Sequence, residues 1–217
     1  MMYGRQFLLF LLFFGFSVSS FCVEEGEKGS TTGEKKGVVM AGKAKAVSRG
    51  PKMSMPSVMI MDRGGQAPGA LIRFMMMNNE GLDSMYVSRL VKSYIVECRL
   101  EGVNHDVAFC QMCLETGFLK FSGSVGRYQN NFCGMGAVDA FSAGDWFGSL
   151  EEGVRAHIQH LKAYASIGPL VTPMVDPRFS RVRRGTVFTV YDLSGTWAAD
   201  PDYGFKIDYL LKKLYRN

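Results

Sequence analysis

The chain lacks the features that announce several function classes. Its N-terminal apolar run, Phe7 to Phe16, is too short for a comfortable membrane span, which takes about 20 residues. Histidine is scarce: there are three in 217 residues. Two of them, His157 and His160, sit at i, i+3 with no third ligand at helical spacing, so a structural or groove-lining role fits them better than a metal site. The five cysteines are too scattered for zinc, because Cys110 and Cys113 would need more partners than Cys133 and one histidine. They also lack the βαβ setting of a Cys-x-x-Cys redox site. No nucleic-acid motif occurs, and the aromatics are not interleaved with a basic stripe. There is no internal repeat. No metal, cofactor or nucleic acid is therefore expected.

What is present begins with an export signal over residues 1–20. Arg5 is the positive n-region, Phe7 to Phe16 the apolar core, and Val18-Ser19-Ser20 offers small residues for cleavage. The alternatives are an uncleaved N-terminal anchor and a lipid on Cys22, the latter disfavoured by bulky Phe21. The net charge of +5 becomes +4 without this segment, a modest excess that suits an anionic polymer or surface. Export permits disulfides. Even so, the i, i+3 spacing of Cys110 and Cys113 on a helix disfavours a bond between them. The cysteines read as small buried apolar residues, with a bridge from Cys98 or Cys133 left open.

Residues 21–66 read as a linker. Val23 to Gly50 is Gly, Lys, Glu, Ser and Thr with few large apolar side chains, and the Met-rich stretch 51–66 has no clear pattern. The folded domain is expected over 67–217. Leu71 to Met77 reads as a short helix. Asp83-Ser84 caps a long one running to Leu100, with Val87, Leu90, Val91, Tyr94, Ile95 and Cys98 on one face. Gly102 ends it, and Asn104 caps the next. Between 120 and 148, glycines punctuate short apolar pieces, which predicts loops and a small hairpin. Ser149 with Glu152 is a capping box for a helix through Ala165. Thr189 with Asp192 predicts a short helix to about Trp197, and Asp200-Pro201 starts the last helix. The fold class expected is α+β, mainly α: a helical lobe with a small irregular β lobe inserted after Glu115.

Glu115 is the residue of greatest chemical interest. It ends an otherwise apolar helix, before the helix-stopping pair Thr116-Gly117. An acid there opposes the helix dipole and is half buried, so desolvation should raise its pKa. A carboxyl kept protonated near neutral pH is what a glycosidase uses to protonate a leaving oxygen.

Three blocks in order resemble the bacterial glucosaminidases of glycoside hydrolase family 73. Glu101-Gly102-Val103-Asn104 through Gln111-Met112-Cys113-Leu114-Glu115-Thr116-Gly117-Phe118 is similar to the family's acid-bearing helix. Asn130-Asn131-Phe132-Cys133-Gly134 resembles its Asn-Asn-aromatic-x-Gly turn, and Trp197-Ala198-Ala199-Asp200-Pro201-Asp202-Tyr203-Gly204 its closing motif. Arg155 to Leu161 is similar to a subgroup's helix.

The resemblance implies a lysozyme-like fold with a substrate groove between lobes, and hydrolysis of the β-1,4 bond after N-acetylglucosamine in peptidoglycan. It implies Glu115 as general acid and Tyr203 as a groove tyrosine that positions the sugar or the attacking species. Glycosidases usually pair two carboxyls. Asp145, in Gly144-Asp145-Trp146-Phe147, stands where relatives tend to carry Glu; Asp139 is the fallback, and the substrate's own acetamido group is the third option. Asn131, Phe132, Trp146 and His157 are the expected substrate-binding residues, although Asn131 also suits a turn held by side-chain to backbone bonds. Trp146 and Trp197 suit either sugar stacking or the core. Arg178, Arg181, Arg183 and Arg184 read as a solvated basic face. Two rivals share the resemblance: a lytic transglycosylase, and a wall-binding protein without catalysis, kept open by the cysteines around Glu115 and by Asp at 145.

Overall fold

A computed structural model describes residues 55–137 and 142–217. The expected export signal, most of the linker, Cys22 and Asp139 lie outside these residues. The described part is mainly helical: α1 Pro68–Asn78, α2 Ser84–Glu101, α3 His105–Glu115, α4 Leu150–Ala165 and α5 Tyr203–Arg216, with 3-10 turns at Arg127–Gln129, Phe179–Arg181 and Val190–Leu193. No described helix is long and apolar enough to cross a membrane.

The caps read from the sequence form. The Asp83 carboxylate accepts from the N–H of Met85 at 2.7 Å and of Tyr86, and Asn104 Oδ1 accepts from Asp106 N at 3.0 Å. Gly102 closes α2 in the left-handed region at φ 75°. α2 and α4 pack side by side, with Val87, Leu90, Val91, Tyr94 and Cys98 buried, and three ion pairs cross between them: Arg89–Glu151, Arg155–Glu97 and the buried Lys162–Glu101. α3 lies against α2 and α5, so its last turn is fixed from several sides.

Two expectations change. The folded unit reaches into the stretch assigned to the linker. Ile60 is fully buried, its N–H donates to Phe188 O at 2.9 Å, and its carbonyl accepts from Asn104 N at 2.8 Å. Gly65 N–H donates to Asp106 Oδ2 at 2.7 Å. Residues 58–66 thus strap the start of α3, which composition could not reveal because their partners are some 40 or more positions away.

Nor does the expected small hairpin form among the described residues. Among the described residues the only β pairings are isolated bridges, Met59 with Thr189 and Ser194 with Ala198. Asn130, Gly134, Gly136 and Gly144 all have positive φ, which breaks the extended geometry a ladder needs. The segment is instead held by amides: Asn131 Nδ2 donates to the carbonyls of Met135 and Asp145, its Oδ1 accepts from Met135 N, and Asn130 Nδ2 donates to Phe147 O at 3.0 Å. Likewise the short helix expected to run to Trp197 is only the 3-10 turn Val190–Leu193, although its Thr189–Asp192 capping box forms.

Candidate active site

Glu115 is delivered by the way α3 ends. Thr116 Oγ1 donates to Met112 O at 2.8 Å and accepts from Leu119 N at 2.9 Å. Gly117 turns left-handed at φ 56°, and Phe118 N–H reaches back to Cys113 O at 2.8 Å, the helix-ending arrangement glycine allows. The carboxyl is left in the last turn, half buried.

Two donors converge on one of its oxygens. Trp197 Nε1–H donates to Glu115 Oε1 at 3.0 Å, and the Tyr203 hydroxyl donates to the same oxygen. Both Trp197 and Tyr203 are spent on Oε1, and neither reaches Oε2. Burial pushes the Glu115 carboxyl up to about 7, against the pull of the Tyr203 and Trp197 donors. Tyr203 is itself raised well above the usual phenol range by burial and by the neighbouring Glu115. Its oxygen accepts from Gln111 Nε2 at 3.0 Å.

Glu115 borders a small hollow lined by Thr116, Phe121, Gly123, Val125, Asn131 and Gly134. Gly134 also borders a second, shallow cleft with His160, Tyr164, Arg178 and Trp197 among its walls. The Trp197 ring is wedged against His160, Tyr164 and His157, with centroids 5.1, 5.5 and 5.9 Å away. His160 Nδ1 meets Asp176 Oδ2 at 2.8 Å.

The expected residues divide. Glu115 and Tyr203 come together. Asp145 lies elsewhere in the segment after α3, with Oδ2 accepting from Arg178 Nε at 2.8 Å; the two side chains are 28% and 16% exposed. Trp146 is 66% exposed, so its ring is available. The other three residues expected to bind substrate are held mainly by the protein itself. Phe132 is fully buried, edge-on to Tyr94, because its apolar ring anchors the turn in the core. His157 is fully buried between Tyr94 and Gln111, and burial followed by nearby His160 drives it down to about 3, so it is neutral and touches no solvent. Asn131 spends its amide on the backbone, clamping the turn beside the Glu115 hollow.

The basic stretch is also only partly solvated. Arg178 holds Asp145, while Arg184 donates to the carbonyls of Ser166 and Gly168 and lies over the Phe179 ring at 4.6 Å. Cys98, Cys110, Cys113 and Cys133 are free and buried, and burial pushes each thiol well up, as inert core residues require. The described residues hold no group of three or more His, Cys, Asp or Glu side chains arranged for a metal.

The sequence reading missed Gln111 and Arg178 as site residues. Gln111 was within reach, since it stands four residues before Glu115 on the same helix face. Arg178 was not, because no local rule links it to Asp145, 33 positions away.

A glucosaminidase family model, described as mannosyl-glycoprotein endo-beta-N-acetylglucosaminidase, matches residues 91–216. The chain belongs to the glucosaminidase family. The match takes in Glu115, Asp145, Trp197 and Tyr203. The chain is also 45% identical over 155 residues to an uncharacterized protein of Borreliella burgdorferi, covering 71% of this chain and 76% of that one. Among solved structures it is similar to S. aureus autolysin E in complex with the muropeptide NAM-L-Ala-D-iGlu, at 15% identity and a TM-score of 0.49, over 76% of this chain and 74% of that one. As expected, the described part of this glucosaminidase domain is mainly α.

Proposed function

We propose that this chain is an exported endo-β-N-acetylglucosaminidase that hydrolyses the β-1,4 bond after N-acetylglucosamine in peptidoglycan. The observation that carries the reading is the state of Glu115: a helix-end carboxyl raised to about 7, with both of its donors gathered on Oε1. A group in that state can hold a proton at neutral pH and give it up to a leaving oxygen. The signal-like residues 1–20 and the three bacterial motif blocks favour an envelope glycan over other N-acetylglucosamine polymers.

In the proposed cycle a glycan strand lies across the Glu115 hollow and the neighbouring cleft. Glu115 Oε2–H protonates the glycosidic oxygen while an oxocarbenium-like sugar develops. As the proton leaves, the Tyr203 and Trp197 donors stabilise the charge growing on the carboxylate. Asp145 serves the other side. Arg178 occupies Oδ2, so Oδ1 is the oxygen left to activate water; the substrate's acetamido group is the alternative route to the same bond cleavage. The exposed ring of Trp146, next in the chain, offers a stacking face.

The test is digestion of purified peptidoglycan by the chain from residue 21 onward, wild type beside Glu115→Gln. Fragments are reduced with borohydride and weighed by mass spectrometry. Reduced N-acetylglucosamine ends, absent with the variant, are expected. Anhydro-muramic ends would replace hydrolysis with transglycosylation. Binding without release of fragments would sink the enzyme reading.

A further inference from the structure

Behind Glu115 lies a buried row of polar groups that the reaction as drawn does not use. Tyr94 on α2 is fully buried, and its hydroxyl meets His157 Nδ1 at 2.9 Å. His157 Nε2 meets Gln111 Oε1 at 3.1 Å. Gln111 Nε2 donates to Tyr203 at 3.0 Å, and the Tyr203 hydroxyl donates to Glu115 Oε1. Four contacts thus join α2, α4, α3 and α5 to a single carboxyl oxygen.

The row has one direction. Gln111 uses its amide N–H toward Tyr203, so its carbonyl oxygen must accept. His157 therefore carries its hydrogen on Nε2, and its bare Nδ1 takes the Tyr94 hydroxyl proton. A neutral histidine fits both roles, and a charged one, with hydrogens on both nitrogens, does not. Each donor points toward Glu115. Reversing any link would leave a fully buried donor or acceptor unmatched, which is costly.

We infer that Tyr94, His157 and Gln111 are positioning residues whose one-way hydrogen-bond row keeps Tyr203 donating to Glu115 Oε1, so that the acidic proton is confined to the other oxygen, Oε2. Without the row, the Tyr203 hydroxyl is free to turn to another acceptor, and the Glu115 proton can settle on Oε1, facing inward. Tyr203 acts on the carboxyl directly; the other three act through it. This rests on Glu115 being the general acid.

The sign follows from the donors. A hydrogen bond given to Oε1 favours the charged carboxylate and so opposes the rise caused by burial. Loss of the row should therefore move Glu115 further up. The titratable groups facing it are Tyr203 from α5 and Cys133 from the segment after α3, with His157 of α4 one step behind. Both Tyr203 and Cys133 are pushed well up by burial and stay neutral throughout the range of interest.

The test compares wild type, Gln111→Met and Tyr94→Phe, each as the chain from residue 21 with carbon-13 in the glutamate carboxyls. Glu115→Gln identifies the Glu115 resonance. Gln111→Met removes both amide contacts at similar volume. Tyr94→Phe removes only the far hydroxyl and keeps the ring against Phe109 and Phe132. The Glu115 titration should move up by about 0.5 pH unit in Gln111→Met and about 0.2 in Tyr94→Phe, as expected if each link polarises the next by a modest fraction. On peptidoglycan, kcat should fall about tenfold in Gln111→Met with KM nearly unchanged, and the alkaline limb of the rate profile should follow the titration.

A merely structural role would lower the melting temperature without moving either curve. Folded variants with an unmoved Glu115 titration overturn the inference, and Tyr94→Phe alone decides it if Gln111→Met does not fold. An inactive wild type would instead defeat the glycosidase reading, while the carboxyl titration still judges the row.

Discussion

The end of α3 and the glycine-punctuated segment after it each carry one carboxyl of interest, and they treat it in opposite ways. Glu115 is set in a rigid helix terminus among Tyr203 and Trp197, where burial lifts it to about 7. Asp145 is set on irregular backbone clamped by Asn131, with a guanidinium on one oxygen. The first environment suits a group that gives a proton, the second a group held as an ion pair. On the function proposed above, the same functional group would take two roles set by what surrounds it.

The comparison breaks most sharply at the acid. Glu115→Gln keeps the size and the two incoming donors but has no proton to give, and activity should drop by about 10²–10⁴-fold in peptidoglycan digestion at unchanged fold. The proton itself has a thermodynamic signature. Glu115 is raised in the folded state, so between about 4.5 and 7 the folded chain binds more protons than the unfolded one. Stability from this group is present at low pH and lost as pH rises to about 7, by up to about 3 kcal/mol. Glu115→Gln should remove that loss. Measured by urea unfolding, the variant should gain on wild type between pH 5 and pH 8; equal slopes would show that Glu115 is not raised. Activity should fall off on the alkaline side near 7 for the same reason.

The second carboxyl should respond less. Asp145→Asn is expected to cost about 10²-fold in kcat, as for a lost general base. Arg178→Gln sharpens the reading: if its loss equals that of Asp145→Asn, the aspartate works through the ion pair, and if it is much smaller, the free oxygen does the chemistry. Next comes the joint between the two regions. A side-chain carbon added at Gly153 of α4 would sit 1.8 Å from the Asn130 carbonyl oxygen, backbone that cannot step aside cheaply. Gly153→Ala should cost about 1–3 kcal/mol of stability in thermal unfolding and displace the Asn131 clamp. Smallest is Trp197→Phe, which removes one donor to Oε1 and keeps most of the ring. About a tenfold loss in kcat is expected, with the alkaline limb moved upward.

Much of this was readable along the chain because it is local. The α2 face, the Asp83, Asn104 and Ser149 caps, the Gly102 stop and Glu115 at a helix end all follow from neighbours within four or five residues. The Glu115–Tyr203 pairing was reachable only through the family resemblance, since 88 positions separate them. The failures have two causes. Ile60 was assigned to the linker, and Phe132 and His157 were expected in the groove; there the outcome depended on a partner remote in sequence, Phe188 and Asn104 for Ile60, Tyr94 for both Phe132 and His157. The hairpin expected among the 120–148 glycines fails locally, on the positive φ of Asn130, Gly134, Gly136 and Gly144.

The sequence by itself determined the five α-helices, most of their caps and the placing of a carboxyl at the end of α3, because periodicity, capping and helix-terminal chemistry act over a few residues. Only the tertiary structure decided how that carboxyl is buried and which of its oxygens takes the two donors. Burial and hydrogen-bond direction at Glu115 arise where α2, α3, α4 and α5 meet, and no short-range rule carries that information.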